Sequence, residues 1–192
     1  MRTQWTTVAL LAATTAAGMD NANVSSVDVH MIDDLSPTKM LETNKALVAA
    51  IFGEIGVRIR WHEGEMATTA GPSTFEIKVI QSAPATASAQ ALASTRMDTG
   101  RIIVFRDRVR QRLGRAHPGA AKVALAYVLV HELAHAMQRV PRHSVTGILR
   151  AQWSNDDFTA MLFHKLAFEG SDVELIRRGL AARVAEDSKL LP

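Results

Sequence analysis

The segment Val123-Ala-Leu-Ala-Tyr-Val-Leu-Val-His131-Glu-Leu-Ala-His135 is apolar up to its first histidine and places a second histidine four residues later. The helical pattern runs over residues 120–138, begins after a Pro-Gly pair and stops before Pro141, which predicts one long, buried helix. Residues four apart on a helix project from the same face. His131 and His135 can therefore present two imidazoles to one point in space.

Two imidazoles one turn apart supply half of the ligands of a tetrahedral zinc site, in which the nitrogens lie roughly 2.0–2.1 Å from the metal. Glu132 follows the first histidine and can reach a water at the metal without being a ligand. A carboxylate there accepts the proton of the attacking water and later returns it to the leaving amine. The alternative, helix histidines in ordinary hydrogen bonds, is disfavoured because a core does not stabilise two imidazoles and a carboxylate unless they are paired.

The residues alone leave the third metal ligand open. Pro141 turns the chain at the end of the helix, and His143 follows it closely. His164 lies on the next predicted helix, and Glu169 and Glu174 lie further along the chain, where a downstream glutamate could complete the site. Cysteine is absent from the sequence, which excludes thiolate ligands and disulfides.

The stretch from His131 to Leu149 resembles the metzincin metallopeptidases, whose signature runs from such a helix through a turn to a third histidine and then to a methionine-containing turn. The resemblance implies zinc as cofactor, His143 as the third ligand and residues 147–149 in place of the methionine turn. Three features depart from the family pattern. Gln138 stands where the family has glycine, the third histidine comes two residues late, and Leu149 replaces the methionine.

The rest of the chain predicts an α+β fold in which a mixed N-terminal sheet packs on the long helix and the C-terminal part is mostly helical. This arrangement is zincin-like, as the resemblance implies. Residues 83–98, rich in Ala, Ser and Thr, are predicted to form a loop that partly wraps the site. The predicted strands cover residues 24–32, 57–61, 74–80 and 101–105, and further helices cover 36–53, 155–168 and 171–188.

The first 22 residues are predicted to be a signal peptide, because Arg2 precedes a short run of apolar and small residues. The run is too short to span a bilayer. We therefore expect a secreted or periplasmic protein whose single metallopeptidase domain covers residues 23–192. The formal charge of +3 on 192 residues gives no reason to expect nucleic acid or membrane as a partner, and we expect a monomer.

The expected substrate is a protein or peptide. Residues 101–105 are predicted to be the edge strand with which an extended peptide pairs through its main chain. The alternative function is a zinc-binding protein of the same fold without peptidase activity. Glu132 argues against it, since a purely structural zinc site fills all four positions with protein ligands and has no use for a base.

The remaining histidines and aromatic residues are predicted to have structural roles. His30 and His62 stand at strand ends and His117 in a loop, so each is expected to be a surface or packing residue. Tyr127, one turn before the motif, is expected to be buried in the core. Trp153 could either wall the substrate site or pack the chain, and packing is favoured.

Overall fold

A computed structural model describes residues 25–33, 39–116 and 121–189. Three of the predictions concern residues outside these ranges. They are the signal peptide, Ser36 and Pro37 at the start of the first helix, and His117 in a loop. The class is α+β, as predicted. In chain order the elements are β1 (Ser25–Asp33), α1 (Lys39–Glu54), β2 (Val57–Glu63), β3 (Thr74–Ile80), β4 (Ala93–Arg96), β5 (Arg101–Phe105), α2 (Arg106–Ala116), α3 (Ala121–Gln138), α4 (Asn155–Leu162) and α5 (Gly170–Asp187).

The strands form one five-stranded sheet in the order β2-β1-β3-β5-β4. Strands β2, β1, β3 and β5 are parallel, and β4 runs antiparallel to β5. This order corrects two predictions. Residues 93–96 are a strand and not part of a loop. The edge strand on that side of the sheet is β4 and not residues 101–105, because β5 lies between β3 and β4.

One face of the sheet carries the apolar side chains that build the core, including Val27 and Val29 of β1 and Phe75 and Ile77 of β3, all fully buried. Alternation along a strand sends these residues to one side, where α1 and α3 cover them. Helix α3 is buried on almost every face from Ala124 to Met137, as its nearly continuous apolar sequence predicts. In the described part of the chain, no helix is long and apolar enough to span a membrane.

Helix α5 packs tightly against the C-terminal end of α3. A β-carbon added to Gly179 would lie 2.0 Å from the carbonyl oxygen of Met137, so only glycine permits this approach. The helix begins at Gly170 behind Glu169, and its first-turn acid is Asp172. The helix thus begins one residue before its predicted start at Ser171. The close packing sets the start of α5 beside the loop that follows α3.

Two further helices differ from the sequence-based expectation. Helix α2 was not predicted, because its sequence is rich in arginine and carries few apolar residues, among them the buried Val109. Helix α4 begins after Ser154, whose capping box with Asp157 is formed, but it ends at Leu162 and not at 168. His164 adopts a left-handed conformation (φ 53°), and the Lys165 amide donates to the Ala160 carbonyl at 2.8 Å. This is the hydrogen bond that closes a helix C-terminus.

Candidate metal centre

Three histidines converge where α3 meets the loop that follows it. The Nε2 atom of His135 lies 3.0 Å from that of His131 and 3.3 Å from that of His143. One ring nitrogen from each of the three lies within 4.8 Å of the other two. Two nitrogens bound to one zinc at tetrahedral angles would be about 3.3 Å apart. The spacing fits a metal ion held by three imidazoles.

The tautomer of His131 is fixed by the backbone. Its Nδ1 lies 2.9 Å from the carbonyl oxygen of Ile148, which can only accept a hydrogen bond. Nδ1 therefore carries the proton, and the lone pair of Nε2 is directed into the site. A hydrogen bond of this kind is what usually orients a histidine that binds a metal.

Trp153 has both of the roles considered from the sequence. Its Nε1 donates to the same Ile148 carbonyl at 3.1 Å, and its ring packs edge-on against His131 at 5.6 Å between centroids. The side chain also lines the cleft in front of the histidines. Tyr127, by contrast, is fully buried in the core, as expected.

The chain turns after α3 without the glycine found in the metzincin pattern. Arg139 adopts a left-handed conformation (φ 60°), directly after Gln138, the last residue of the helix. Its amide donates to the His135 carbonyl at 3.0 Å, which ends the helix. The two additional residues of the loop then bring His143 back towards the helix.

The turn at residues 147–149 lies beneath His131 and includes Ile148, whose carbonyl orients that ring. Gly147 has φ 74°, and a β-carbon there would lie 2.5 Å from the Ala167 carbonyl oxygen, so the position requires glycine. The amide of Ile148 donates to the same oxygen at 3.0 Å. Leu149 is completely buried, which agrees with an apolar residue in the position that the family gives to methionine.

Glu132 lies beside the three histidines and faces the same cleft. Burial raises the pKa of its carboxyl group, while a hydrogen bond from the Thr95 hydroxyl to Oε2, 2.5 Å long, lowers it. Thr95 belongs to edge strand β4, within the stretch predicted as a loop, and the sequence pattern gave no sign of its role. The bond orients the carboxylate from the opposite wall of the cleft.

Burial also lowers the pKa of His131 and of His135 to about 4 in each case. The folded-state pKa lies below the ordinary value of about 6.5, so protonation opposes folding. Their contribution to the free energy of unfolding is fully present above pH 6.5 and is lost as the pH falls towards 4. At neutral pH both rings are uncharged and available as ligands.

A titration of the zinc-free protein checks this effect. We expect the ring signals of His131 and His135, labelled with ¹³C and followed by NMR, to stay constant from pH 7.5 to about pH 5 and to move only below it. Single His131→Asn and His135→Asn variants assign the signals. A midpoint near 6.5 for either ring would show that burial does not control these groups.

The histidines and Glu132 open onto a cleft of about 530 Å³. Its walls are largely apolar, as is usual for ligand sites. One wall is formed by residues 88–97, which confirms that this stretch borders the site. Side chains that line the cleft include Leu92, Ala93, Met97, Val128, Trp153 and Phe158, together with Arg150, which forms an ion pair with Asp157.

The rival ligands lie outside the histidine group. His164 is exposed, Glu169 accepts hydrogen bonds from Thr146, and Glu174 forms an exposed ion pair with Arg178. His30 and His62 stack on each other at 4.9 Å between the first two strands. Of the third ligands considered, the structure brings only His143 to His131 and His135.

A five-stranded mixed sheet packed on a long helix, with three histidines that could hold a metal ion near the end of that helix, is a zincin-like fold. The crystal structure of archaemetzincin from Methanopyrus kandleri shares this fold, with a TM-score of 0.56 over 85% of this chain and 99% of that chain. The two sequences are 13% identical, so the likeness concerns the fold. No family model and no curated protein matches the sequence.

Proposed function

We propose that the protein is a zinc-dependent endopeptidase in which His131, His135 and His143 hold the metal and Glu132 is the general base. The observation that carries the proposal is the spacing of the three imidazole nitrogens, 3.0 and 3.3 Å, beside the half-buried carboxylate of Glu132 in an open cleft. The similarity between the fold of this chain and that of archaemetzincin also supports the proposal.

The ligand set suits zinc in a catalytic site better than in a structural one. Three imidazole ligands would leave one coordination position of a tetrahedral zinc free, and the cleft would give a substrate access to it. Zinc, when bound, lowers the pKa of a water to about 7 and polarises a carbonyl group. Glu132 accepts a proton from the attacking water and returns it to the leaving amine. Its raised pKa suits a group that must both take up and release a proton.

Strand β4 is the surface on which we propose that a peptide substrate binds. It is hydrogen-bonded to β5 on one side and borders the cleft, and Ala93 and Thr95 line the cleft itself. An extended peptide can add to such an edge through main-chain hydrogen bonds. This binding mode engages the middle of a chain, which favours an endopeptidase. It replaces the predicted role of residues 101–105.

The remaining features of the proposal rest on the sequence. The first 22 residues favour export, and the domain over 23–192 is then a secreted or periplasmic enzyme that acts as a monomer. Proteins and peptides are the proposed substrates, and neither nucleic acid nor membrane is a proposed partner.

Metal removal tests the proposed function. The purified protein is expected to contain one zinc per chain and to cleave denatured casein, to lose this activity in 1,10-phenanthroline, and to regain it when zinc is restored. A non-chelating phenanthroline isomer is the control. Bound zinc without cleavage would favour the zinc-binding protein without peptidase activity, and cleavage that survives complete zinc removal would contradict the proposal.

A further inference from the structure

We propose that Asp172 is a positioning residue for the metal centre, which holds the loop on both sides of His143 so that this imidazole meets the other two. The inference rests on the proposed function, because it assumes that the three histidines bind a metal. The third histidine of this chain comes two residues later than in the metzincin pattern, so the loop that carries it must be held in place to complete the site.

Asp172 lies in the first turn of α5 and is completely buried. Its Oδ1 accepts a hydrogen bond from the Ser144 hydroxyl at 2.5 Å and from Nη1 of Arg142 at 3.0 Å. Its Oδ2 accepts the backbone amide of Glu169 at 3.2 Å. Ser144 and Arg142 are the two chain neighbours of His143. One carboxylate therefore ties down both sides of the third histidine.

His143 needs such support more than the other two histidines. His131 and His135 are held by the backbone of α3, whereas His143 is exposed and lies on an irregular loop. Within the described residues, its Nδ1 has no hydrogen bond comparable to that of His131 with Ile148. The position of its ring thus depends on how firmly the loop itself is held.

The same part of the chain supports the rest of the loop. The carboxylate of Glu169 accepts the amide of Thr146 at 2.9 Å and its hydroxyl at 2.6 Å. The Ala167 carbonyl accepts the amide of Ile148, whose own carbonyl orients His131. Residues 167–172 therefore hold the loop through several hydrogen bonds. Among them, Asp172 is the residue that binds both chain neighbours of His143.

A change at a position that orients a ligand typically weakens metal binding by about 10- to 100-fold. Asp172→Asn keeps the size of the side chain but replaces one acceptor oxygen with an NH₂ group, which can only donate. The amide then loses either the hydrogen bond from the Glu169 amide or the one from Arg142, because both of these groups can only donate. Ser144→Ala removes a single hydrogen bond and leaves the charge of the pair with Arg142 intact.

The test compares Asp172→Asn and Ser144→Ala with Glu174→Gln, which removes an exposed carboxylate two residues further along the same helix. Zinc affinity is measured by competition with a chromophoric chelator, and the Tm of each zinc-free protein is recorded. We expect affinity to fall about 10- to 100-fold in Asp172→Asn, to fall less in Ser144→Ala, and to stay unchanged in Glu174→Gln.

The visible spectrum of the cobalt(II)-substituted protein separates positioning from general stability. If Asp172 acts through His143, the spectrum of Asp172→Asn shifts towards that of His143→Ala. Unchanged zinc affinity and an unchanged cobalt spectrum, with only a lower Tm, would overturn the proposal. If Asp172→Asn does not fold, Ser144→Ala decides by the same two readouts. Wild-type protein that binds no zinc would refute the proposed function itself, whereas wild-type binding with unaffected variants refutes only the role of Asp172.

Discussion

The Glu132→Gln variant is expected to bind zinc as tightly as the wild-type protein and to hydrolyse peptides about 10²–10⁴-fold more slowly. The amide cannot accept the proton of the attacking water, but its oxygen can still accept the hydrogen bond from Thr95 that now reaches Oε2. The measurement is kcat on a fluorogenic peptide, together with the zinc content of the same sample.

A matched substitution shows whether the effect belongs to this carboxylate. Glu174→Gln removes an exposed carboxylate of α5, so its kcat should equal that of the wild-type protein. Hydrolysis by Glu132→Gln at the wild-type rate would exclude Glu132 as the base, even if zinc were bound. Loss of zinc from Glu132→Gln would instead assign the carboxylate to the metal site itself.

The His143→Ala variant is expected to lose about two to three orders of magnitude in zinc affinity, and with it the hydrolytic activity. Structural zinc sites bind with about 10–16 kcal/mol, so one of four ligands contributes about 2.5–4 kcal/mol, and each 1.4 kcal/mol is tenfold in affinity. Chelator competition measures the affinity, and activity is assayed at saturating zinc to separate lost binding from lost catalysis.

His164→Asn is the control for His143→Ala, because His164 was the rival histidine and asparagine tolerates its left-handed backbone. The control should keep both zinc and activity. If His143→Ala keeps wild-type affinity, the ligand assignment fails. If His164→Asn loses zinc as well, the ligand set includes a residue that lies outside the histidine group of the structure.

The sequence predicted the parts of the site that depend on local patterns. Apolar residues over more than four turns predicted α3, and the spacing of His131 and His135 placed both rings on one face. Only the resemblance to the metzincins singles out His143 as the third ligand, because the path of a loop does not follow from helical or strand periodicity. The structure brings His143 beside His131 and His135 and shows how the loop turns without glycine, through the left-handed Arg139.

The sequence did not predict the features that depend on long-range contacts. Strand β4 has no alternation of apolar and polar residues, and it forms because β5 pairs with it. Thr95 meets Glu132 across 37 residues, and Asp172 meets Ser144 across 28. Helix α2 was missed because its sequence is mostly charged and contains few apolar residues. Such features arise from tertiary packing, which overrides local preference.

The most direct test of the proposed zinc site is X-ray absorption spectroscopy at the zinc edge of the purified protein. We expect three imidazole nitrogens and one oxygen from solvent around each zinc, at about 2.0–2.1 Å, with one imidazole lost in His143→Ala. Fewer than three imidazoles in the wild-type protein, or four protein ligands and no solvent oxygen, would contradict it.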